Sequence, residues 1–391
     1  MIDKLKLSDF RNFKSKTLEF SDKITTIVGP NATGKTNILE ALYLLSTGKS
    51  FKARVEGEMI KYEQQLARVT GGVLSQSVGP VRSSSESGVL SRISPEAFPP
   101  VNKHGTPSPG LPDAHHPTNL EVIITTGENG WPKKRLLVGG VPKRTVDFAG
   151  NFKTVLFGPW DMDLVTESPS IRRRFLDNVL SQVDREYRRA VLSYEKGLRQ
   201  RNRLLFRIRE EGIPRSQLVF WNQLLIKNGD YISQKRAEFI EFVNSSKSQI
   251  TNHYSLEYDN SVISEGRLEQ YKNEEIAAAT TLVGPHRDDF IFFKEKERNL
   301  ASYGSRGEQR MGVLWLKMAE LDFIELQSEN EDSETISGRP TLLLDDIFSE
   351  LDHEHRGVVM SLAKKQQTIL TTADEHFVED FGKVERIELS G

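Results

Sequence analysis

The sequence predicts an α/β protein in which a large helical insertion splits one sheet. Three observations support this prediction. Near the N-terminus a strand pattern leads into a glycine-rich turn and then a helix. An apolar strand that ends in two acids follows about 300 residues later, and a long charged helical stretch lies between them. A length of 391 residues predicts two or three domains, which suits a sheet interrupted by a lobe.

The composition excludes several classes of protein. With 37% apolar and 28% charged residues the chain suits a globular protein, and no apolar run is long enough to predict a membrane helix. Residues 1–10 are charged and alternating, unlike a signal peptide. The absence of cysteine excludes disulfides and thiolate metal sites, so a reducing cytoplasm is the simplest location. Since the net charge is −2, a nucleic-acid binder of this composition must concentrate its positive charge locally.

Residues 1–165 are predicted to form the N-terminal half of the nucleotide-binding lobe. Strands are expected at residues 3–10 and 23–28, where apolar positions alternate or cluster, and a helix is expected after Thr36. Residues 72–117 are rich in Ser, Pro and Gly, and we expect them to form a disordered insertion because they cannot bury enough apolar surface. Strands are expected to resume at residues 120–125 and 134–138.

Residues 166–278 are predicted to form a helical lobe, and residues 279–391 the second half of the nucleotide-binding lobe. The stretch 170–276 is charged and poor in Gly and Pro, with Gly212-Ile213-Pro214 as the expected break between two helices. No heptad pattern persists there, so a long coiled coil is not expected. Strands are expected at residues 341–344, 368–372 and 384–389.

A phosphate-binding loop is predicted where the first half of the sheet meets its helix. The pattern G-x-x-x-x-G-K-[ST] is matched by Gly29, Pro30, Asn31, Ala32, Thr33, Gly34, Lys35 and Thr36. Such a loop points successive N–H groups at a phosphate, and its glycine lets the backbone approach closely. Lys35 would place its charge at the β- and γ-phosphates, and the Thr36 hydroxyl would ligate Mg²⁺.

A pair of carboxylates is predicted to complete the site. The apolar residues 342–344 lead into Asp345 and Asp346, and ligands of open α/β sheets bind beyond the carboxyl ends of strands. We expect Asp345 to hold Mg²⁺ and Asp346 to orient and deprotonate the attacking water. The catalytic residues predicted from the sequence are therefore Lys35 and Asp346, with ATP and Mg²⁺ as cofactors.

A third motif connects the chain to a known family. Residues 303–310 (YGSRGEQR) precede a helix pattern and are similar to the signature motif of ABC/SMC-like ATPases, in the form that the RecF family carries. Further segments resemble the RecF family at residues 7–13 (LSDFRNF), 34–41 (GKTNILEA), 48–51 (GKSF), 168–177 (SPSIRRRFLD), 282–290 (LVGPHRDDF) and 344–352 (LDDIFSELD). The resemblance spans nearly the whole chain apart from the Ser/Pro-rich segment.

The resemblance implies a fold, a set of binding residues and a function. The fold is an ABC/SMC-type P-loop ATPase head with an inserted helical lobe. Arg11 and Asn37 would join the nucleotide site, while Ser305, Arg306 and Gly307 would reach the γ-phosphate held by an opposite subunit. The function is slow, DNA-stimulated ATP hydrolysis by an ATP-dependent homodimer that binds DNA at single-strand gaps and single-strand/double-strand junctions. RecR, RecO and RecA are the implied partners, in DNA repair, replication restart and the SOS response to DNA damage.

The chain departs from the patterns of its class at several positions: residues 72–117 are extra, and no switch histidine follows Thr371-Thr372, which puts its γ-phosphate sensing in doubt. Asp346 stands where ABC transporters have a glutamate, and its shorter side chain suggests slow turnover. Gly158-Pro159-Trp160-Asp161 replaces the Q-loop glutamine of SMC relatives. Glu308 adds a negative charge inside the signature, which would weaken dimer closure if it pointed at phosphate.

Two interpretations of the basic residues and three alternative functions stay open at this stage. Residues 171–210 contain twelve Lys or Arg and five acids, which predicts either a phosphate-binding stripe or a solvated helix whose arginines pair with later acids. A transporter subunit would require a much shorter spacing between the two nucleotide motifs, and another SMC-like ATPase would show long heptads. A scaffold that binds ATP and DNA without hydrolysis is compatible with the sequence.

Overall fold

The computed structural model describes residues 1–74, 117–127, 133–246, 253–295, 297–329, 339–349, 351, 353–374 and 384–390. Most of the predicted insertion at 72–117 therefore lies outside the described residues. Within these ranges the chain forms two sheets that enclose one helix, and a helical lobe with a small third sheet.

One sheet is antiparallel and has the strand order β2-β1-β4-β5-β6-β7. Its strands are β1 (Ile2–Phe10), β2 (Phe13–Glu19), β4 (Leu66–Val73), β5 (Thr118–Thr125), β6 (Lys134–Val138) and β7 (Val141–Lys143). The alternation predicted for β1 is confirmed, because Leu5 and Leu7 are fully buried while Lys4 and Lys6 between and beside them are exposed. The buried face of this sheet covers the phosphate-loop helix.

The second sheet is parallel and has the strand order β14-β3-β13-β12-β8. Its strands are β3 (Ile24–Val28), β8 (Thr154–Phe157), β12 (Thr341–Asp345), β13 (Thr368–Thr372) and β14 (Glu385–Glu388). All residues of β3, β8, β12 and β13 are buried, as expected for a parallel sheet covered on both faces. The helix α1 (Lys35–Thr47) packs against β4 and β5 of one sheet and against β12 and β13 of the other.

The remaining helices form the inserted lobe and cover the far side of the parallel sheet, except α2, which packs against β6, β7 and α5. They are α2 (Thr145–Phe148), α3 (Asp163–Thr166), α4 (Pro169–Val183), α5 (Arg185–Glu211), α6 (Val219–Ser245), α7 (Glu265–Gln270), α8 (Lys272–Ala278), α9 (Leu300–Tyr303), α10 (Arg306–Glu329) and α11 (His353–Ala363). The predicted break between α5 and α6 is confirmed: Gly212 ends α5 with a φ of 65°, a conformation that glycine adopts without strain. The helix α10 packs against α4, α6 and β8.

Two local predictions are corrected by the structure. Residues 254–259 lie within the stretch predicted to be helical, but they form strand β9 (Tyr254–Asp259), which pairs with β10 (Asp289–Lys294). The strand β11 (Arg298–Asn299) completes this small third sheet. Gly72 and Val73 were assigned to the insertion, but they belong to β4 and pair with Asn119 and Thr118 of β5. Gly72 is suited to this strand, because a Cβ there would lie 2.2 Å from the Asp3 Oδ1.

Buried amides join the parts of the chain. The Gln367 side chain accepts from the Ile2 N–H (2.9 Å) and the Thr341 hydroxyl (2.8 Å), and it donates to the Ile2 carbonyl (2.6 Å), so one residue joins both sheets. The Gln182 Oε1 of α4 accepts from the Ser46 hydroxyl of α1 (2.9 Å) and the Thr154 N–H of β8 (2.8 Å). None of the helices within the described ranges is long and apolar enough to cross a membrane.

Candidate nucleotide-binding site

The candidate site lies at the carboxyl edge of the parallel sheet. The phosphate loop follows β3, the two predicted carboxylates end β12, and β13 lies between those strands. The motifs that are about 300 residues apart in sequence are therefore separated by only one strand. This edge is where open parallel sheets bind their ligands.

The loop has the left-handed backbone that a phosphate cradle requires. Ala32 has a φ of 68° and Gly34 a φ of 102°. A Cβ on Gly34 would lie 2.6 Å from the side-chain amide atoms of Asn12 and 2.7 Å from Phe13, so glycine is the residue that fits. Asn12 also donates to the Thr33 carbonyl (2.9 Å), which ties the loop to the turn between β1 and β2.

Lys35 and the start of α1 provide positive charge beside the loop. The Lys35 ammonium is mostly buried and donates to the carbonyls of Gly29 (2.6 Å) and Pro30 (3.0 Å), which leaves one of its three N–H donors for a phosphate oxygen. Gly34 is the N-cap of α1 and has no side chain to bond the first-turn N–H groups. Such a helix start binds anions through those N–H groups and the helix dipole.

Asp345 connects the loop to the neighbouring strands. Its Oδ2 accepts from the Thr36 hydroxyl (2.8 Å) and its Oδ1 accepts from the Thr371 hydroxyl at the end of β13 (2.5 Å). The carboxylate is 5% exposed, so these bonds fix its orientation in a nearly buried position. The structure thus brings together Thr36 and Asp345, the two residues predicted to hold a metal.

Asp346 adopts a backbone conformation that is uncommon for a residue with a side chain. Its φ is 49°, and the strain is held by a bond from its N–H to the Thr371 carbonyl (3.1 Å) and by the Ser349 hydroxyl, which donates to its carbonyl (2.7 Å). The side chain is half-buried at the edge of the sheet. Glu350 and Asp352, which the sequence also places in this motif, lie outside the described residues.

Arg11 is engaged with protein groups around α1. Its guanidinium donates to both carboxylate oxygens of the fully buried Glu40 (2.8 and 2.6 Å) and to the Glu58 carbonyl (2.6 Å). The Ser50 hydroxyl also donates to Glu40 (2.5 Å). Two of the five N–H donors of Arg11 remain for a ligand, so its predicted contact with nucleotide stays a prediction.

Asn37 occupies the middle of a polar chain beside the loop. Its Nδ2 donates to the Asn12 Oδ1 (2.9 Å), and its Oδ1 accepts from the Lys52 ammonium (3.1 Å). Since Asn12 also bonds Thr33, the loop is connected by side chains to the segment that follows α1.

The signature motif begins the long helix α10 and presents an exposed face. Ser305, Arg306 and Gly307 are all exposed. Glu308 accepts from the Ser305 N–H (2.9 Å), while its own N–H donates to the Ser305 Oγ (3.3 Å), which is a capping box. The Ser305 N–H, Lys294 (3.0 Å) and Arg298 hold the pKa of Glu308 down at about 2. Its negative charge is therefore neutralised by its own chain.

The segment at the position of the Q-loop contains a buried acid instead of a glutamine. Asp161 accepts from the Gly158 N–H (2.8 Å) and lies 3.9 Å from the Lys317 ammonium of α10, which also pairs with Glu320 (2.6 Å). Burial raises the pKa of Asp161 and raises that of Glu320 to about 7. Burial alone would lower the pKa of Lys317, but the two acids outweigh it and raise that pKa. This cluster joins the signature helix to the core.

Most basic residues of α4 and α5 bond other groups of the same chain. Nine of the twelve have hydrogen-bond or ion-pair partners: Arg172, Arg173, Arg185, Arg188, Arg189, Arg199, Arg201, Arg207 and Arg209. Arg172 makes a two-bond pair with Asp289, and the buried Arg201 pairs with Glu275 (2.6 Å). The predicted pairing with acids later in the chain is found for Arg172 and Arg201, whereas the phosphate-binding interpretation of residues 171–210 stays a prediction.

Comparisons with known proteins identify the family. Residues 1–73 match the family model of an AAA ATPase domain. A protein named DNA replication and repair protein RecF from Herpetosiphon aurantiacus is 32% identical over 97% of this chain and 94% of its own length. The RecF of Halalkalibacterium halodurans is 31% identical over 95% of this chain and 92% of its own. The chain belongs to the RecF family.

Solved structures support the same assignment. A structure of the recombination mediator protein RecF-ATPrS in the RecFOR pathway aligns with a TM-score of 0.80 and 27% identity, covering 100% of this chain and 96% of that one. The corresponding RecF-ATP structure has a TM-score of 0.79 and covers 99% and 95%. The predicted RecF membership and the ABC/SMC-type head with a helical lobe are confirmed. The chain is thus an ATP-binding ATPase of a DNA replication and repair family.

Three residues around this RecF-family site were missed by the sequence interpretation. Thr371 donates a hydrogen bond to Asp345, Glu40 accepts hydrogen bonds from Arg11, and Asn12 donates to the Thr33 carbonyl of the loop. The positions of Thr371-Thr372 at the end of a predicted apolar strand, and of Asn12 in the turn before the loop, were available signals. Glu40 within an otherwise apolar helix face was another.

Proposed function

We propose that this RecF-family chain is a DNA-dependent ATPase switch, in which two copies close on DNA when each holds ATP and open after hydrolysis. The observation that carries the ATPase part of this proposal is the bond between the Thr36 hydroxyl and the Asp345 carboxylate (2.8 Å), which joins both nucleotide motifs at one point. A contact between a phosphate-loop hydroxyl and a buried carboxylate is what an ATPase needs to hold a metal ion beside the phosphates, and chain packing alone does not require it.

The residues at this point suit Mg²⁺. Mg²⁺ prefers hard oxygen ligands such as hydroxyl and carboxylate oxygens, and the Thr36 Oγ1 and the Asp345 Oδ2 lie side by side at the end of the phosphate loop. Thr36 and Asp345 would therefore hold the ion, and Thr371 would keep the carboxylate oriented. When bound, the ion would neutralise the phosphate charges that develop during transfer.

The remaining groups fit the chemistry of phosphate release. Lys35 would contact the γ-phosphate with its remaining N–H donor while its other two keep the ammonium in place. Asp346 would accept a proton from water as the water oxygen bonds the γ-phosphorus and the bond to the ADP oxygen breaks. Since an aspartate reaches less far than a glutamate, we expect slow turnover, as suits a switch.

The exposed signature suits a role across a dimer interface. Ser305, Arg306 and Gly307 face away from their own chain, at the start of a 24-residue helix whose N-terminus favours phosphate. Because Glu308 is neutralised by Lys294, Arg298 and the Ser305 N–H, it does not oppose the approach of an anion. ATP bound by one copy would then be completed by the signature of the other, which makes dimerisation depend on ATP.

The biological role is proposed from the family. Its relatives are named DNA replication and repair proteins, and the solved structures belong to the RecFOR pathway. We therefore propose binding at single-strand gaps and junctions of DNA, with RecO and RecR as partners and RecA loading as the outcome, in the cytoplasm. A scaffold that never hydrolyses ATP is the alternative, and the intact Lys35, Thr36, Asp345 and Asp346 argue against it.

The test is the ATPase rate as a function of protein concentration, with and without gapped duplex DNA, for the wild type and Lys35→Arg. A rate per subunit that rises with concentration, increases with DNA and is lost in the variant supports the switch. A strictly linear rate that ignores DNA would contradict the switch and leave an ATPase without coupling. No hydrolysis under any condition would favour the scaffold.

A further inference from the structure

A basic cleft lies between the two lobes, and no residue of the phosphate loop lines it. Its volume is about 650 Å³, and it is bounded by residues 49–54, which follow α1, and by α4, α5 and α6 of the helical lobe. The charged side chains that line it are six basic and two acidic ones: Lys49, Lys52, Arg54, Arg173, Arg174, Arg236, Asp177 and Glu195. The cleft therefore has a positive excess in a chain whose net charge is −2.

The charges deep in this cleft are already compensated. The buried Arg236 donates to Asp177 (2.9 Å) and to Asp288 (3.0 Å), and Arg173 donates to the Asp288 carbonyl (2.8 Å). His286 bonds Tyr194 (2.8 Å) and the Thr281 carbonyl, and burial lowers its pKa to about 4, so it is neutral at pH 7. The interior of the cleft thus contributes little free charge.

The mouth of the cleft is different. Lys49, Arg54 and Arg174 are exposed, and within the described part of the chain their side chains have no hydrogen-bond or ion-pair partner. Lys52 is also exposed, and in the described ranges its ammonium bonds the neutral amide of Asn37 and no acid. These four cations come from both lobes and stand around one concave surface, where low-dielectric walls strengthen the field.

The mouth is also connected to the phosphate loop. Lys52 donates to Asn37 (3.1 Å), Asn37 donates to Asn12 (2.9 Å), and the Asn12 amide donates to the Thr33 carbonyl (2.9 Å). An anion that draws Lys52 away from Asn37 would release the first bond of this chain. A polyanion in the cleft can therefore influence the loop that holds ATP, although it lies outside the nucleotide site.

We propose that this cleft binds the sugar–phosphate backbone of DNA, with Lys49, Arg54 and Arg174 as phosphate contacts and Lys52 as the link to the phosphate loop. The assignment rests on the proposed function and locates its DNA contacts. Cations distributed along a cleft suit an extended polyanion, and exposed Lys and Arg contact backbone phosphate without sequence preference. Of the four cations at the mouth, Arg174 alone belongs to the basic stretch 171–210, and the other arginines of that stretch mostly have partners.

The test compares two variants with the same change in charge. Lys49→Gln/Arg54→Gln/Arg174→Gln removes the cations at the mouth. Lys196→Gln/Arg203→Gln/Lys227→Gln removes three exposed cations of the helical lobe that do not line the cleft and whose side chains have no partner among the described residues. The affinity for a fluorescent gapped duplex is measured by anisotropy, with ATP, at several KCl concentrations. Thermal unfolding verifies that both variants fold.

We expect the mouth variant to lose about 0.9 per cation, or about 2.7 in all, from the slope of log affinity against log salt. At 0.1 M KCl this corresponds to about a hundredfold weaker binding or more. The control variant should bind within about twofold of the wild type. Equal losses in both variants would overturn the cleft assignment while leaving the proposed function intact, whereas a wild type that binds no DNA would overturn the proposed function itself.

The link to the phosphate loop has its own measurement. Lys52→Met should weaken DNA binding by one contact at most, yet reduce the increase in ATPase rate at saturating DNA. A DNA-stimulated rate equal to that of the wild type would show that the side-chain path from Lys52 to Thr33 does not transmit binding.

Discussion

The substitution Thr371→Val tests whether Asp345 depends on its neighbouring strand. Valine keeps the shape of threonine and suits a buried strand, so the packing of β13 should persist. What is lost is the hydroxyl that donates to the Asp345 Oδ1 (2.5 Å), next to a carboxylate that is 5% exposed. A hydrogen bond to a charged group contributes about 1.5–3 kcal/mol.

That free energy corresponds to about a 10- to 100-fold change in a binding constant, since each 1.4 kcal/mol is about a factor of ten. Residues that orient a metal-binding carboxylate typically have effects of about this size. We therefore expect the Mg²⁺ concentration for half-maximal ATP hydrolysis to rise about 10- to 100-fold in Thr371→Val. The assay is a titration of ATPase activity with MgCl₂ at fixed ATP.

Thr372→Val is the matched control for this prediction. Among the described residues its hydroxyl bonds the backbone of Asp374 alone (3.1 and 3.2 Å), so the Mg²⁺ dependence of this variant should match that of the wild type. If Thr371→Val also titrated like the wild type while folding normally, Asp345 would not owe its orientation to β13, and the reasoning would fail.

Three further predictions concern stability and the loop. Arg201→Met should cost about 3–5 kcal/mol in urea unfolding because it leaves the fully buried Glu275 unpaired, and adding Glu275→Leu should recover much of that loss. The pKa of Glu308 is lowered in the folded protein, so its ionised carboxylate stabilises the fold above the unfolded-state pKa of 4.5, and this stabilisation is lost as the pH falls towards about 2. The difference in unfolding free energy between the wild type and Glu308→Gln should therefore shrink between those pH values. Gly34→Ala should weaken ATP binding at least about tenfold. An alanine at a φ of 102° costs about 1–2 kcal/mol, and its Cβ would also clash with Asn12. Titration with a fluorescent ATP analogue measures the loss of affinity.

Local motifs carried most of what could be predicted from the sequence. The phosphate loop, Asp345 and the break at Gly212 depend on residues adjacent in the chain, so their patterns appear directly in the sequence. The strand β9 was missed because it is a single short strand within a helical stretch, and it depends on its pairing with β10 about 30 residues later. Such a pairing leaves no periodic signal.

The environment of charged residues was the harder part. Arg201 and Arg172 look like any other arginines of a basic helix until Glu275 and Asp289, 74 and 117 residues away, pack against them. The role of Thr371 likewise depends on the strand order, which places β13 between β3 and β12. These are contacts between distant segments, and charge counts along the chain cannot separate paired from free cations.

The central claim is that ATP bound by one copy is completed by the signature of another. Two variants that are each inactive can test it when mixed: Lys35→Arg disables the phosphate loop, and Gly307→Gln places a side chain on the exposed signature. A Cβ at Gly307 meets no atom closer than 4.0 Å in its own chain, so this substitution should leave the fold intact.

The decisive measurement is the DNA-stimulated ATPase rate of an equimolar mixture of the two variants. Half of the dimers would then be mixed, and each would contain one site with both lesions and one site with none, so the mixture should recover about a quarter of the wild-type rate. A mixture no more active than its separate components, or full activity of Gly307→Gln alone, would contradict the shared site.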